Sequence, residues 1–218
     1  MRLLMEVEYV LARYDESIAW IQPIEADVCV INKGPALPKG LNCATVQRPN
    51  YGRESEAYLS YILTNYDNLP EVIVFSQARI WDHVGADDPQ FLVMCAEEAG
   101  QKGISIPQLK SSTDPVWGFS FNYCGGHWFM PSEYKRNVKL VFGDWFKTYI
   151  RQTFPTFNLR VYPNAIFGVR RDLVLARPRS YYQTLLEQVN WSQNPVECHF
   201  MERSWYYVFV GTYDCLKM

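Results

Sequence analysis

The chain has 218 residues, and its 21 Lys and Arg against 23 Asp and Glu leave a formal charge of −2 at pH 7. That balance argues against a general nucleic-acid coat, although it permits a local basic pocket. With 48% hydrophobic and 20% charged residues the chain is globular rather than disordered, and it is long enough to bury a core without staples.

EVEYVLA (6–12) reads as a strand and ends at Arg13-Tyr14-Asp15. ADVCVIN (26–32) is a second strand, stopped by Lys33-Gly34-Pro35. Residues 35–52, rich in Pro, Gly and Asn, read as a long loop. From Ser55 to Tyr66 the apolar residues Ala57, Tyr58, Tyr61, Ile62 and Tyr66 fall at helical spacing. EVIVFSQ (71–77) is a third strand, apolar enough to be buried on both faces.

This alternation predicts a parallel α/β sheet with ligands at the carboxyl ends of its strands. Those ends carry Arg13-Tyr14, Asn32-Lys33-Gly34 and Gln77-Ala78-Arg79.

Asp88 and Pro89 cap a helix predicted to run to about Glu98. Residues 100–131 are loop-rich, with a candidate strand at 116–123 and a Gly125-Gly126-His127-Trp128 turn. A helix is expected from Ser132 to about Thr153. Residues 159–178 read as two strands and a turn, 179–189 as a helix, and 196–211 as a last continuous helix. With no linker or repeat, one domain over 1–218 is expected, with a ligand-binding half (1–100) and a second half (101–218).

No pair among Cys29, Cys43, Cys95, Cys124, Cys198 and Cys215 has the CxxC spacing of a zinc or redox motif. Cys29 and Cys95 lie in apolar runs and read as core. No apolar run reaches the ~18–20 residues of a membrane span. The N-terminus reaches charge too soon for a signal peptide. A soluble, cytoplasmic protein with free thiols is expected.

Four constellations carry possible chemistry. Asn50-Tyr51-Gly52-Arg53-Glu54 precedes a helix, whose free N–H groups and an arginine fork suit an anion; a plain glycine turn is the alternative. Asp82-His83, with Asp87 nearby, is a candidate metal or acid/base pair or a hydrogen-bonded loop pair. His199, Glu202 and Arg203 share a helix face and suit a base, a ligand or an internal salt bridge. Arg170, Arg171, Arg177 and Arg179 form a positive patch, able to balance a diphosphate or to face solvent. Motifs of the common hydrolases, P-loop proteins, dinucleotide binders and zincins are absent.

An ordered set of short motifs resembles an uncharacterised family of small fungal, algal and viral proteins. The first are Ala12-Arg13-Tyr14, Asn32-Lys33-Gly34, Asn50-x-Gly52-Arg53-Glu54-x-x-x-Tyr58-Leu59 and Asn65-Tyr66-Asp67-x-Leu69-Pro70. Val74-Phe75-x-Gln77 and Asp82-His83 follow. Later come Phe167-Gly168-Val169-x-Arg171, Arg177-Pro178-x-x-Tyr181 and His199-x-x-Glu202-Arg203-x-Trp205.

Size and layout are also similar to the compact glycosyltransferase domain of a chlorella-virus protein that glycosylates the major capsid protein. That resemblance implies a GT-A fold: one α/β domain with a central, mostly parallel mixed sheet flanked by helices. It implies transfer of a hexosyl or deoxyhexosyl group from a UDP-sugar donor to a glycan or glycoprotein acceptor, in the host cytoplasm if the chain is virus-encoded.

The donor would meet Arg13, Tyr14, Asn32, Lys33, Gly52, Arg53, Gln77 and Arg79. Glu202, His199 and Asp82 are the candidate catalytic groups. GT-A enzymes place Asp-x-Asp after a central strand to hold Mn²⁺, whereas Gln77-Ala78-Arg79 stands there in this chain. Either Asp82 and His83, with Asp87, supply a Mn²⁺ site, or Arg79 and Arg53 replace the ion's charge. A non-catalytic sugar- or nucleotide-binding module and a metal-dependent phosphoester hydrolase are the alternatives to a transferase.

Overall fold

A computed structural model describes residues 5–107, 110–112, 142–152, 159–161 and 165–211. The candidate strand at 116–123, the 125–128 turn and most of the helix expected from Ser132 lie outside these residues, as do Cys124 and Cys215.

The three expected strands form as β1 (Val7–Arg13), β2 (Asp27–Asn32) and β4 (Val72–Gln77). Between β2 and β4 lie a short strand β3 (Ala44–Gln47), inside the region read as loop, and helix α1 (Arg53–Asn65). All four residues of β3 are exposed. Having no buried face, β3 lacks the hydrophobic alternation by which a strand is recognised; pairing with β2 makes it a strand.

After β4 come α2 (Trp81–Val84) and α3 (Pro89–Lys102). The expected Asp88 cap is present, its carboxylate accepting from the Gln90 N–H at 2.9 Å. Helix α3 runs past Glu98 and stops at Gly103, whose φ of +89° needs a residue without Cβ. Strands β5 (Ile104–Ser105), β6 (Lys110–Ser112), β7 (Leu159–Val161) and β8 (Phe167–Arg170) follow, with α4 (Phe142–Trp145) and a π turn (Phe146–Ile150) between β6 and β7.

Two expectations fail in the second half. Residues 171–175, inside the stretch read as two strands and a turn, form helix α5 (Arg171–Leu175) directly after β8. The last helix is two, α7 (Val196–Glu202) and α8 (Trp205–Phe209), preceded by α6 (Arg179–Val189). The Ser204 hydroxyl donates to the Phe200 carbonyl at 2.7 Å and covers a backbone acceptor at the break.

The main sheet has the order β3-β2-β1-β4-β8-β5. β1, β2, β3 and β4 are parallel, and β8 runs antiparallel to both β4 and β5. β6 and β7 form a separate antiparallel pair. The fold is therefore α/β with a mixed six-stranded sheet flanked by helices.

Both faces of the sheet are covered, as the apolar runs require. Val10, Ile73 and Phe75 face a core with α1 and the C-terminal helices. Tyr9, Leu11, Val72 and Val74 face a second core with α3. Cys29 and Cys95 are buried free thiols, one in each core. Among the described residues no helix is long and apolar enough to cross a membrane.

Candidate functional site

The tips of β1, β2 and β4 are level: Arg13 pairs with Asn32 across one ladder and Ala12 with Gln77 across the other. From β1 the chain turns to β2 and β3 on one side, then crosses to β4 on the other. That reversal opens a crevice at the carboxyl ends. A cavity of about 360 Å³ occupies it.

Eight of the candidate site residues expected from the sequence line this cavity, namely Arg13, Tyr14, Lys33, Arg53, Gln77, Arg79, Asp82 and His83. Arg53 and Arg79, from opposite sides of β1, face the same space. Asn32, Gly52, His199 and Glu202 do not line it.

The N–H donors reveal what each cation does. Arg13 is only 7% exposed. Its Nε donates to the Glu16 carbonyl at 2.8 Å, and its Nη1 to Asn32 Oδ1 at 2.6 Å, the Pro35 carbonyl at 2.8 Å and the Tyr14 carbonyl at 3.1 Å. All these acceptors are neutral. Among the described residues Arg13 pairs with no carboxylate, and its Nη2 makes no bond. A buried guanidinium at a cavity wall thus keeps its charge for something else.

Lys33 differs from its expected role. Its Nζ reaches the Tyr51 carbonyl at 2.5 Å, the Arg53 carbonyl at 2.5 Å and Glu56 Oε2 at 2.6 Å. An ammonium has three donors, and all are taken. Lys33 pins the loop before α1 rather than reaching a ligand. Asn32 also departs from expectation: it accepts from Arg13 and donates to Gly34, Pro35 and Gln47. It holds the Arg13 side chain and stiffens the β1–β2 tip.

Gly52 is a backbone device. It caps α1 with φ +62°, and a Cβ there would meet the Val189 carbonyl oxygen at 2.6 Å. Gly34 lies against Tyr14 so closely that a Cβ would collide with its carbonyl oxygen. Gly34→Ala is expected to cost about 1–3 kcal/mol by prying the two tips apart; a urea melt at neutral pH checks this.

Arg53 and Arg79 are held more loosely. Arg53 Nε is 3.4 Å from Glu54 Oε2, with a side chain 39% exposed. The Glu54 charge raises the Arg53 pKa, and Glu202 adds to that pull. Arg79 Nη2 is 3.3 Å from Asp82 Oδ2, its side chain 53% exposed and its guanidinium over the Trp81 ring.

Ala12, Glu16, Asn50 and Glu54 complete the wall. Glu16 was not singled out from the sequence; its signal is its place three residues beyond β1. Glu54, read as a helix-start residue, is a buried carboxylate beside Arg53. The hollow is thus mixed in charge rather than uniformly positive.

The donor set does not fit a divalent cation. Asp82 Oδ2 faces Arg79, and Asp82 Oδ1 lies 3.7 Å from His83 Nε2, which itself contacts Gln77 Oε1 at 3.0 Å. Asp87 Oδ1 accepts from the N–H groups of Ile80 and Trp81, capping α2. Glu16 Oε2 accepts from those of Tyr14 and Asp15. Among the described residues no three His, Cys, Asp or Glu gather to hold a metal, whereas a hard cation wants several free oxygens.

The His199 cluster is chiefly internal. Arg203 Nη1 donates to Glu202 Oε2 at 3.1 Å and to the His199 carbonyl at 2.9 Å, while His199 Nδ1 is 3.7 Å from Glu202. The four arginines of the patch between 170 and 179 lie away from the cavity. Antiparallel β8 sets Arg170 opposite Val72, at the far end of β4. Arg170 pairs with Asp172, Arg179 with Asp67, and Arg171 and Arg177 donate to backbone carbonyls.

A family model described as "Protein of unknown function (DUF3431)" matches residues 10–95, less than half of the chain. This agrees with the expected likeness to an uncharacterised family. The matched stretch contains every residue lining the cavity and stops well before His199 and Glu202. No curated protein matches the chain.

Proposed function

We propose that the chain is a glycosyltransferase of GT-A type that moves a sugar from a UDP-sugar donor to a glycan acceptor. One observation carries this reading: three arginines from separate elements meet in one cavity at the carboxyl ends of parallel strands, and buried Arg13 has no carboxylate partner among the described residues. That arrangement suits a diphosphate.

In the transfer, the acceptor hydroxyl oxygen bonds to the anomeric carbon and gives its proton to a carboxylate. The bond from that carbon to the diphosphate oxygen breaks, and the guanidiniums meet the negative charge that develops there. Tyr14, half exposed at the cavity wall, offers a ring for the uracil.

Of the three catalytic candidates, Asp82 is the one at the cavity. Glu202 is tied to Arg203, and His199 lies beside it. Asp82 is therefore the base in this proposal, freed when Arg79 turns to the diphosphate.

The test is release of UDP from a panel of UDP-sugars with and without glycan acceptors. The expected result is slow UDP release from one donor, accelerated by an acceptor. Asp82→Asn should lower that rate by about 10²–10⁴-fold with UDP affinity kept. A panel in which no UDP-sugar binds or turns over sinks the proposal; stabilisation by free glycan alone would instead favour a sugar-binding module.

A further inference from the structure

Among the described residues, the carboxylates around the cavity are already engaged. Asp82 faces Arg79, Glu54 faces Arg53, and one oxygen each of Glu16 and Asp87 accepts two backbone N–H groups. The guanidiniums are placed the other way. Arg13 is locked by four bonds to neutral oxygens and still presents Nη2. Arg53 and Arg79 each hold their carboxylate through a single long contact on a part-exposed side chain.

We infer that this chain binds its diphosphate ligand without a divalent cation, with Arg13 as fixed anchor and Arg53 and Arg79 as arms that exchange their carboxylates for phosphate oxygens. The inference rests on the proposed nucleotide-sugar reading and names what neutralises the diphosphate there.

The physical reason is one of competition. A metal ion at Asp82 would sit beside the Arg79 guanidinium, so two positive centres would contend for one carboxylate. A phosphate oxygen arriving at Arg79 meets no such conflict. A planar fork such as that of Arg53 or Arg79 holds two phosphate oxygens at once, and with Arg13 Nη2 these groups, from β1, α1 and the segment after β4, surround the ligand from three directions.

The experiment is calorimetry of the whole chain with UDP, in EDTA and in Mn²⁺, with inorganic pyrophosphate as a second probe. The expected result is an affinity that agrees within about twofold between the two buffers. Arg79→Gln and Arg53→Gln, both at part-exposed side chains that leave the fold intact, should each weaken UDP by about tenfold or more, with no rescue by Mn²⁺. UDP binding that appears only with Mn²⁺ overturns the inference and leaves the transferase proposal standing. No binding of either probe in either buffer overturns both.

Discussion

Glu56→Gln is expected to lower folding stability by about 3–5 kcal/mol, the cost of breaking a buried ion pair from one side. Glu56 is fully buried in α1. It accepts from Lys33 at 2.6 Å, from Arg48 Nη2 at 2.5 Å and from the Ser60 hydroxyl at 2.7 Å. Burial pulls the Lys33 pKa down, and the Glu56 charge restores only part of it. An amide at position 56 would leave Lys33 buried beside a neutral group. The carbonyls of Tyr51 and Arg53, which Lys33 grips, would lose their hold, so the Arg53 wall of the cavity should loosen too.

The pH dependence has a definite sign. Burial, the largest influence on Glu56, pushes its pKa up; the Lys33 charge and the hydrogen bonds from Lys33, Arg48 and Ser60 together carry it below the ordinary 4.5. A depressed carboxyl contributes stability that is complete above the unfolded-state value and drains as pH falls through the folded-state one. Urea melts between pH 7 and pH 3 should show the wild type losing stability below about 4.5, and Glu56→Gln losing less over the same window. A variant within 1 kcal/mol of wild type at pH 7 would show that the network does not hold the tip (roughly the scale of one ordinary hydrogen bond). Replacing the pair with Lys33→Met and Glu56→Leu together should recover much of the loss.

Trp205→Ala is the second large effect, at about 3–5 kcal/mol. Trp205 is fully buried between α1, β8 and α8. Its ring lies 5.2 Å from Phe167 and 5.9 Å from Tyr58, and stacks on Phe209 at 6.0 Å with an interplanar angle of 10°. Removing it empties the junction where the C-terminal helices meet the sheet. Its Nε1 has no hydrogen-bond partner among the described residues. Trp205→Phe should therefore cost less than about 1.5 kcal/mol, because no bond to a described residue is broken and the ring contacts survive. Equal losses for the two variants would show that the indole N–H, not the ring, matters at this position.

The site was legible in part. Arg13, Tyr14, Gln77 and Arg79 could be placed together from strand ends, because parallel strands send their carboxyl tips to one edge, and Arg53 from the helix start beside them. Lys33 and Asn32 carry the same local signal, yet one secures the loop before α1 and the other the Arg13 side chain. Nothing near them in the chain separates a ligand-facing lysine from an anchoring one. The partner that decides it, Glu56, is a full strand, loop and helix turn away.

By itself the amino-acid sequence determined the repeating local choices. Apolar runs set β1, β2 and β4, helical spacing set α1, and Asp88-Pro89 set the start of α3. These depend on side-chain periodicity and capping within a few residues.

Only the tertiary structure decided the rest. The exposed edge strand β3 exists because β2 offers it a ladder. The antiparallel entry of β8 sent the second arginine cluster to the far end of the sheet, away from the cavity. Which donors were spent inside the fold and which were left for a ligand was likewise settled by contacts between residues distant in the chain, where local periodicity carries no information.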